Sequence, residues 1–143
     1  MTRIDFYVSN DPEQTARSQF VCRLAEKAYL QQHKVYIHTN SPQETEQLDR
    51  FMWLFKAGSF LPHCPYGAEA MAETPIIIGH EHAPEQDTDI LINLAAQVPG
   101  FYSRFDRVVE FVSGDEATRQ QARERYKHYR DRGYQVDTHK LSE

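Results

Sequence analysis

Residues 3–38 read RIDFYVSNDPEQTARSQFVCRLAEKAYLQQHKVYIH, and this stretch decides the fold because it predicts a strand, a helix and a second strand in succession. Residues 3–8 have the β-branched and aromatic content of a strand. Asp11 follows as a candidate N-cap, with proline at the first helical position and Gln14 at the capping-box spacing. Residues 13–32 then carry apolar side chains at the spacing of one buried helical face: Ala16, Phe20, Val21, Leu24, Ala25 and Ala28.

The alternation of strand and helix continues beyond this unit. Ser41 and Glu44 repeat the cap signal and open a helix with the apolar residues Leu48, Phe51, Met52 and Phe55. Glycines and prolines make residues 56–75 a loop or short turns. Further elements are a helix closed by Gly133 at residues 115–132 and strands at residues 74–79, 89–94, 107–112 and 134–138. This order predicts an α/β domain of three layers around a mostly parallel central sheet.

The composition fits one globular domain covering residues 1–143, since 40% of the 143 residues are hydrophobic and 26% are charged. The first residues show no basic stretch leading into an apolar run, so no secretory signal is expected. No apolar run is long enough for a membrane span. Cys22 and Cys64 are too few for a disulfide framework, so we expect a cytoplasmic protein with no membrane contact.

The charge is unevenly distributed along the chain. A net charge of -5 argues against a dedicated nucleic-acid binder, which is normally basic. Residues 116–132 nevertheless contain six Lys/Arg against three Asp/Glu. Ala122, Tyr126 and Tyr129 mark the side of this helix that faces the sheet. Helical spacing places four side chains on an adjoining side, with Lys127 next to them: Arg119, Arg123, Tyr126 and Arg130.

This cationic stripe beside an aromatic edge allows three interpretations. It suits an acidic peptide with an apolar anchor, or a chain-terminal carboxylate, because Arg binds carboxylates through paired hydrogen bonds and stacks on rings. It would also suit a phosphate backbone, although the acidic remainder of the chain would repel one. The third interpretation is a solvated helix face without a ligand.

The first turn between strand and helix argues against nucleotide binding. Residues 9–13 contain no glycine, and Asp11 and Glu13 place negative charge where a phosphate would lie. The chain also contains neither the dinucleotide fingerprint nor a P-loop. We therefore expect a domain without a phosphate-binding loop and without a nucleotide cofactor.

Histidines and cysteines give little support for metal or nucleophile chemistry. His80, Glu81 and His82 are better explained as a polar loop with exposed histidines, so no metal site is expected. His63 and Cys64 are adjacent and would point apart, which favours a loop cysteine over a catalytic thiol. A small α/β enzyme that uses these groups is the weakest of the functional hypotheses.

Aromatic residues are concentrated at the end of the second helix. One helical face cannot bury all of residues 51–55, and the stripe formed by Leu48, Phe51, Met52 and Phe55 leaves Trp53 on another side, near the loop that carries Phe60. Exposed aromatics in one patch are typical of partner-binding surfaces. Trp53 and Phe60 would otherwise form a small cluster under the loop, and the sequence favours neither interpretation.

Five stretches together resemble the chi subunit of bacterial DNA polymerase III holoenzyme. The resemblance runs in order over nearly the whole chain except residues 64–88, onto which nothing is carried. The last stretch is the most specific. The stretches are residues 5–7 (DFY), 51–53 (FMW), 59–63 (SFLPH), 89–94 (DILINL) and 122–130 (ARERYKHYR).

The resemblance implies a non-catalytic accessory subunit with a Rossmann-like fold and with no active site, metal or cofactor of its own. Trp53 and Phe60 would face the psi subunit of the clamp-loader complex. The acidic C-terminal tail of single-stranded DNA-binding protein, which ends in an aromatic residue and a free carboxylate, would be held by Val112, Arg119, Arg123, Tyr126, Lys127 and Arg130.

The function implied by this resemblance is to bridge the clamp loader and the single-stranded DNA-binding protein during DNA replication. Nucleic acid would be contacted only indirectly. The alternative from another class is a protein that binds single-stranded nucleic acid directly through the cationic helix at residues 115–132.

Overall fold

The structure is a computed structural model that describes residues 2–11, 14–55, 61–81 and 89–141. Within these ranges it contains helices α1 (Gln14–Leu30), α2 (Pro42–Leu54) and α3 (Glu116–Asp131), and short 3-10 helices at Met71–Glu73 and Tyr102–Arg104. The strands are β1 (Arg3–Val8), β2 (Val35–His38), β3 (His63–Pro65), β4 (Ile76–Gly79), β5 (Ile90–Asn93), β6 (Arg107–Val112) and β7 (Val136–Lys140).

The described strands form one seven-stranded sheet in the order β3-β4-β2-β5-β6-β1-β7. Every pairing is parallel; Ile4 of β1, for example, lies between Val108 of β6 and Val136 of β7. The prediction of a mostly parallel sheet is thus confirmed, and the observed sheet is parallel throughout. Parallel strands require crossover connections, and these connections place the helices on both faces.

Two hydrophobic clusters separate the three layers. Cys22 of α1 and Leu48 of α2 are buried in one cluster together with Ile37 of β2. The neighbouring residue Tyr36 points the other way and belongs to the second cluster, which includes Tyr129 of α3. Because side chains alternate along a strand, α1 and α2 cover one face of the sheet and α3 covers the other. This is the predicted three-layer, Rossmann-like architecture.

The caps of α2 and α3 follow their sequence signals. The Ser41 hydroxyl accepts a hydrogen bond from the backbone N–H of Glu44 at 3.2 Å. Asp115 caps α3 by accepting from the backbone N–H of Thr118 at 2.9 Å. Gly133, with a φ of 87°, supplies the left-handed conformation that ends α3. The predicted cap of α1 involves residues 12–13 and the side chain of Gln14, which lie outside the described residues.

The structure corrects two expectations about strands. Cys64 is buried in β3 and is not a loop cysteine, because pairing with β4 gives strand structure to a segment that its prolines mark as irregular. The last strand is Val136–Lys140, two residues later than predicted, because its register is set by pairing with β1. No helix within the described ranges has both the length and the apolar character that a membrane crossing requires.

Candidate partner-binding surfaces

A groove of about 250 Å³ lies between α3 and strands β1, β6 and β7. We call it the tail groove, after the peptide tail that several of its residues are predicted to bind. Its apolar lining comes from Phe6, Val8, Val112 and Ala122, and its polar lining from Arg119, Arg123, Tyr126 and Thr138. The structure therefore brings four predicted residues together: Val112, Arg119, Arg123 and Tyr126.

The two arginines of the tail groove are held in different ways. Arg119 donates from Nε to the carbonyl of Gly114 at 3.2 Å and from Nη2 to the carbonyl of Ser9 at 3.4 Å. Arg123 donates from Nη1 to Glu116 and to Gln120, both at 2.8 Å. Backbone carbonyls thus orient Arg119, whereas Arg123 is paired with exposed side chains.

Lys127 and Arg130 are the remaining residues that are predicted to bind the tail. The ring of Tyr126 packs edge-on against Phe6, with 5.4 Å between centroids. The guanidinium carbon of Arg130 lies 5.8 Å from the centroid of Tyr126, within the range of a cation–π contact. Lys127 is exposed and does not line the groove. Arg130 is therefore adjacent to the groove, and Lys127 is outside it.

The opposite side of α3 contains a buried ionic cluster that the sequence analysis missed. The Glu110 carboxylate of β6 is fully buried and accepts hydrogen bonds from Arg125 at 2.9 Å, Tyr129 at 2.6 Å and Asn93 at 2.9 Å. Burial raises the pKa of Glu110, while the charge of Arg125 and the three hydrogen bonds oppose that rise. Arg125 also donates to the carbonyl of Ala96 at 3.1 Å.

The helical spacing held a signal for this cluster. Arg125 lies three residues after Ala122 and four before Tyr129, so it belongs to the buried stripe and not to the cationic stripe. Phe6, Val8 and Thr138 of the tail groove carried no comparable signal. They become neighbours of α3 only because β1 and β7 lie next to β6 in the sheet.

The surface around Trp53 combines exposed and half-buried side chains. Its side chain is 53% exposed and that of Leu54 is 84% exposed, whereas Phe51 and Phe55 are half-buried. The Trp53 ring lies 4.6 Å from the ring of His63. The predicted neighbour Phe60 lies outside the described residues. Trp53 thus packs on one side and is open to solvent on the other.

The buried histidine beneath Trp53 is held by backbone carbonyls. Nδ1 of His63 lies 2.6 Å from the carbonyl oxygen of Leu61, and Nε2 lies 3.2 Å from that of Asp49. Cys64, the next residue along β3, belongs to the hydrophobic cluster on the other face of the sheet. The predicted divergence of His63 and Cys64 is therefore observed, and it separates the thiol from the imidazole.

Other candidate chemistry finds little geometric support. Within residues 2–11, 14–55, 61–81 and 89–141, no group of three His, Cys, Asp or Glu side chains could hold a metal ion. Of the two histidines considered as metal ligands, His82 lies outside those ranges. Nδ1 of His80 lies 3.3 Å from the Thr45 hydroxyl. Burial raises the pKa of the Cys22 thiol to about 12, which keeps it protonated and unreactive.

The architecture is a parallel α/β sheet of the Rossmann-like class, in which the first strand-to-helix turn lacks glycine. Solved structures share this fold. The T4 UvsW structure gives a TM-score of 0.66 at 8% identity, covering 98% of this chain and 41% of that one. A DEAD box protein from Methanococcus jannaschii gives 0.63 at 10% identity, covering 99% and 42%. This chain thus spans about two fifths of each, and the likeness concerns the fold alone.

Sequence relatives define the family. The family model described as DNA polymerase III chi subunit, HolC, matches residues 1–137. The DNA polymerase III subunit chi of Pseudomonas aeruginosa is 42% identical over 141 residues, covering 99% of this chain and 98% of the relative. Those of Haemophilus influenzae and Escherichia coli are each 32% identical, covering 93% and 87% of this chain and 93% and 85% of the relatives.

The chain therefore belongs to the DNA polymerase III chi subunit family. This is a family of accessory subunits of the replicative polymerase and not a catalytic one. Its members work within the polymerase III holoenzyme, so the chain has protein partners. The family expected from the five sequence stretches is confirmed.

Proposed function

We propose that this chain acts as one chi-like cytoplasmic domain that bridges two components of the replication machinery. In this proposal the tail groove captures the acidic C-terminal tail of single-stranded DNA-binding protein. The surface around Trp53 and Phe60 binds the psi subunit of the clamp-loader complex. The bridge would link the clamp loader to the protein that coats single-stranded DNA, and nucleic acid would be contacted only indirectly.

The observation that carries the proposal is the composition of the tail groove. An apolar lining that includes Val112 and Ala122 lies beside the guanidinium groups of Arg119 and Arg123. A chain end with an aromatic side chain and a free carboxylate needs both kinds of surface within a few ångströms. The aromatic side chain gains from leaving water, and the carboxylate gains charge-assisted hydrogen bonds.

The tail site is tested by titrating a tail peptide into Arg123→Ala and measuring the heat of binding. We expect affinity to fall by about tenfold, the effect of one charge-assisted hydrogen bond. Arg132→Ala is the matched control, because Arg132 is exposed just after α3 and its side chain, among the described residues, donates to the carbonyl of His128 and to no carboxylate. Psi binding should be unchanged in both variants. Equal peptide affinity for Arg123→Ala and the unmodified chain would refute the assignment.

Salt and the terminal carboxylate give further readouts on the same site. Because Arg123 is exposed, its attraction to the peptide is screened, so affinity should decrease as salt increases. The decrease should be shallower in Arg123→Ala. A peptide with an amidated C-terminus should bind more weakly than the free acid. If amidation leaves the peptide affinity unchanged, the groove does not recognise the C-terminal carboxylate.

The psi surface is tested by co-purification with psi. Trp53→Ala and Phe60→Ala should each weaken the complex, since large aromatic side chains dominate interface energies. Leu30→Ala is the control, because Leu30 is also a large exposed side chain, at 73% exposure, but lies at the end of α1. Peptide binding in the tail groove should be preserved. A complex that survives both aromatic substitutions would remove this half of the proposal.

Direct binding of single-stranded DNA is the second candidate. The exposure of Lys127, Arg130 and Arg132 on α3 favours it. The net charge of -5 opposes it, since a phosphate backbone would approach an acidic molecule. Titrating tail peptide and single-stranded DNA in parallel at one salt concentration separates the two functions. Tighter binding of DNA would reverse our choice.

A further inference from the structure

A polar crevice of about 300 Å³ lies at the carboxyl ends of β2, β5 and β6, on the other side of α3 from the tail groove. Asn40 follows β2, Asn93 ends β5 and Ser113 follows β6. Arg17 of α1 and Gln121 of α3 line it from the two faces of the sheet. In open α/β sheets, small ligands bind in crevices at this edge. No part of the proposed bridging function uses this crevice.

Arg17 is the positively charged side chain of this crevice whose hydrogen-bond donors have no partner among the described residues. It is partly buried, and among the described residues it makes no hydrogen bond and no ion pair. Burial lowers the pKa of Arg17, and the negative charge of Glu44 partly offsets that effect. The guanidinium stays charged at neutral pH, and the described residues leave its N–H donors unused. A partly desolvated cation in this state is stabilised by an anion that completes its hydrogen bonds.

The other charged side chains of the crevice already have partners. The Glu44 carboxylate accepts hydrogen bonds from the backbone N–H of Asn40 at 3.1 Å and from its amide at 3.2 and 3.3 Å. Arg125 is neutralised by the buried Glu110. Within the part of the chain that the structure describes, Arg17 is therefore the charged residue lining this crevice that lacks a direct partner.

We propose that this crevice binds the phosphate group of a small molecule, with Arg17 as the principal binding residue. A guanidinium fork matches two phosphate oxygens at once. The side chains of Ser113 and Gln121, which make no hydrogen bond within the described ranges, are further donors. A volume of about 300 Å³ exceeds that of a phosphate ion and leaves room for the rest of a small ligand.

This mode of binding differs from that of a phosphate-binding loop. Of the glycine-free turn after β1, the described residues 9–11 do not line the crevice. The phosphate would lie against side chains at the ends of β2, β5 and β6 and not against the backbone of the first turn. Asp11, one of the two acidic residues that argue against a nucleotide loop, does not line the site.

The test is a nuclear magnetic resonance titration of the full chain with inorganic phosphate, compared with chloride at equal ionic strength. We expect the backbone amides of Asn40, Ser113 and Gly114 to shift with phosphate and not with chloride. Arg17→Gln should weaken the response at least tenfold. Arg23→Gln is the matched control, because Arg23 is an exposed arginine of the same helix. Unchanged titration of Arg17→Gln, or equal responses to phosphate and chloride, would overturn the proposal.

A second variant should act in the opposite direction. Glu44→Gln removes the carboxylate that opposes an anion, while glutamine retains the ability to accept the hydrogen bonds from Asn40. Phosphate affinity should increase by a few-fold, and a decrease would contradict an anion site. A nucleoside monophosphate serves as the second probe. Tighter binding than inorganic phosphate identifies a phosphorylated small molecule as the ligand, and equal binding identifies the free ion.

Discussion

The two sides of helix α3 place arginine in opposite environments, one buried and one exposed. Arg125 is 7% exposed and has its guanidinium bound to Glu110 and to a backbone carbonyl. Arg123, two residues earlier, has a side chain that is 57% exposed and shares its hydrogen bonds with Glu116 and Gln120. Both count equally in the charge of the helix. One holds the helix on the sheet, and the other is available to a partner.

This difference teaches that local charge in a sequence is not the same as a charged surface. The buried side of α3 fixes the orientation of the helix through Glu110, and that orientation presents Arg119 and Tyr126 to the tail groove. The stability of the fold and the proposed capture of a peptide therefore depend on separate residues of one helix. Substitutions can separate the two effects.

The largest expected effect comes from disrupting the ion pair between Arg125 and Glu110 on the buried side of α3. Arg125→Ala leaves the Glu110 carboxylate buried with its opposite charge removed, which costs about 3–5 kcal/mol in free energy of unfolding. Arg123→Ala should cost no more than about 1 kcal/mol, because exposed ion pairs contribute little. Urea denaturation followed by circular dichroism measures both. Similar losses for the two arginines would abolish the contrast between the two sides.

An intermediate effect is expected at Asp5, a second buried carboxylate. Asp5 bonds to Arg107 at 2.8 Å and to His139 at 3.0 Å, and it pairs with Arg3 at 3.1 Å, but these three partners are partly exposed and can be rehydrated. Asp5→Asn should therefore cost less than Arg125→Ala, about 1–3 kcal/mol at neutral pH. The measurement is again the free energy of unfolding in urea.

The pH dependence of Asp5→Asn provides a sharper readout. Burial raises the pKa of Asp5, but hydrogen bonds from His139 and Arg107 and the charges of Arg107 and Arg3 outweigh it and hold the pKa below its ordinary value of 3.8. The ionised form thus contributes stability that is fully present above pH 3.8 and is lost as pH falls through the lowered pKa. The stability gap between Asp5→Asn and the unmodified chain should narrow below pH 3.8. A gap that stays constant there would contradict this account.

The smallest effect is expected on the exposed side. Glu116 lies 2.8 Å from Arg123 and competes with an incoming carboxylate for the same N–H donor. Glu116→Gln should raise affinity for the tail peptide by about twofold, in keeping with the small contribution of exposed ion pairs. Glu124→Gln removes an equal charge from the exposed surface of α3 and serves as the control. Equal gains in both variants would indicate general electrostatics and no competition at Arg123.

Much of the architecture could be predicted from local signals. The caps at Ser41 and Asp115, the stop at Gly133 and the buried runs of β4 and β5 all act within a few residues, so sequence spacing reveals them. The strand β3 could not be predicted, because its three residues become a strand only by pairing with β4. Pairing between distant segments has no local signature.

The candidate site was predictable to the extent that it lies on one helix. Arg119, Arg123 and Tyr126 share a side of α3, and helical geometry identifies them. Phe6 and Thr138 are separated from α3 in sequence, and the strand order alone makes them neighbours. The role of Arg125 required knowledge of Glu110, a carboxylate with apolar neighbours on both sides in β6.

The strand order also sets a distance between the two proposed partners. Helix α2, which carries Trp53, contacts β3 and β4 near one edge of the sheet, whereas the tail groove lies over β6, β1 and β7 at the other. From β4 to β1 there are four strand steps, which amount to about 19 Å at the usual interstrand spacing. Because each strand on this path is hydrogen-bonded to the next, we expect the sheet to hold the two surfaces at a fixed separation. Binding of a partner at one surface should leave the affinity of the other surface for its partner unchanged. The molecule would then link its two partners without allosteric coupling between the sites.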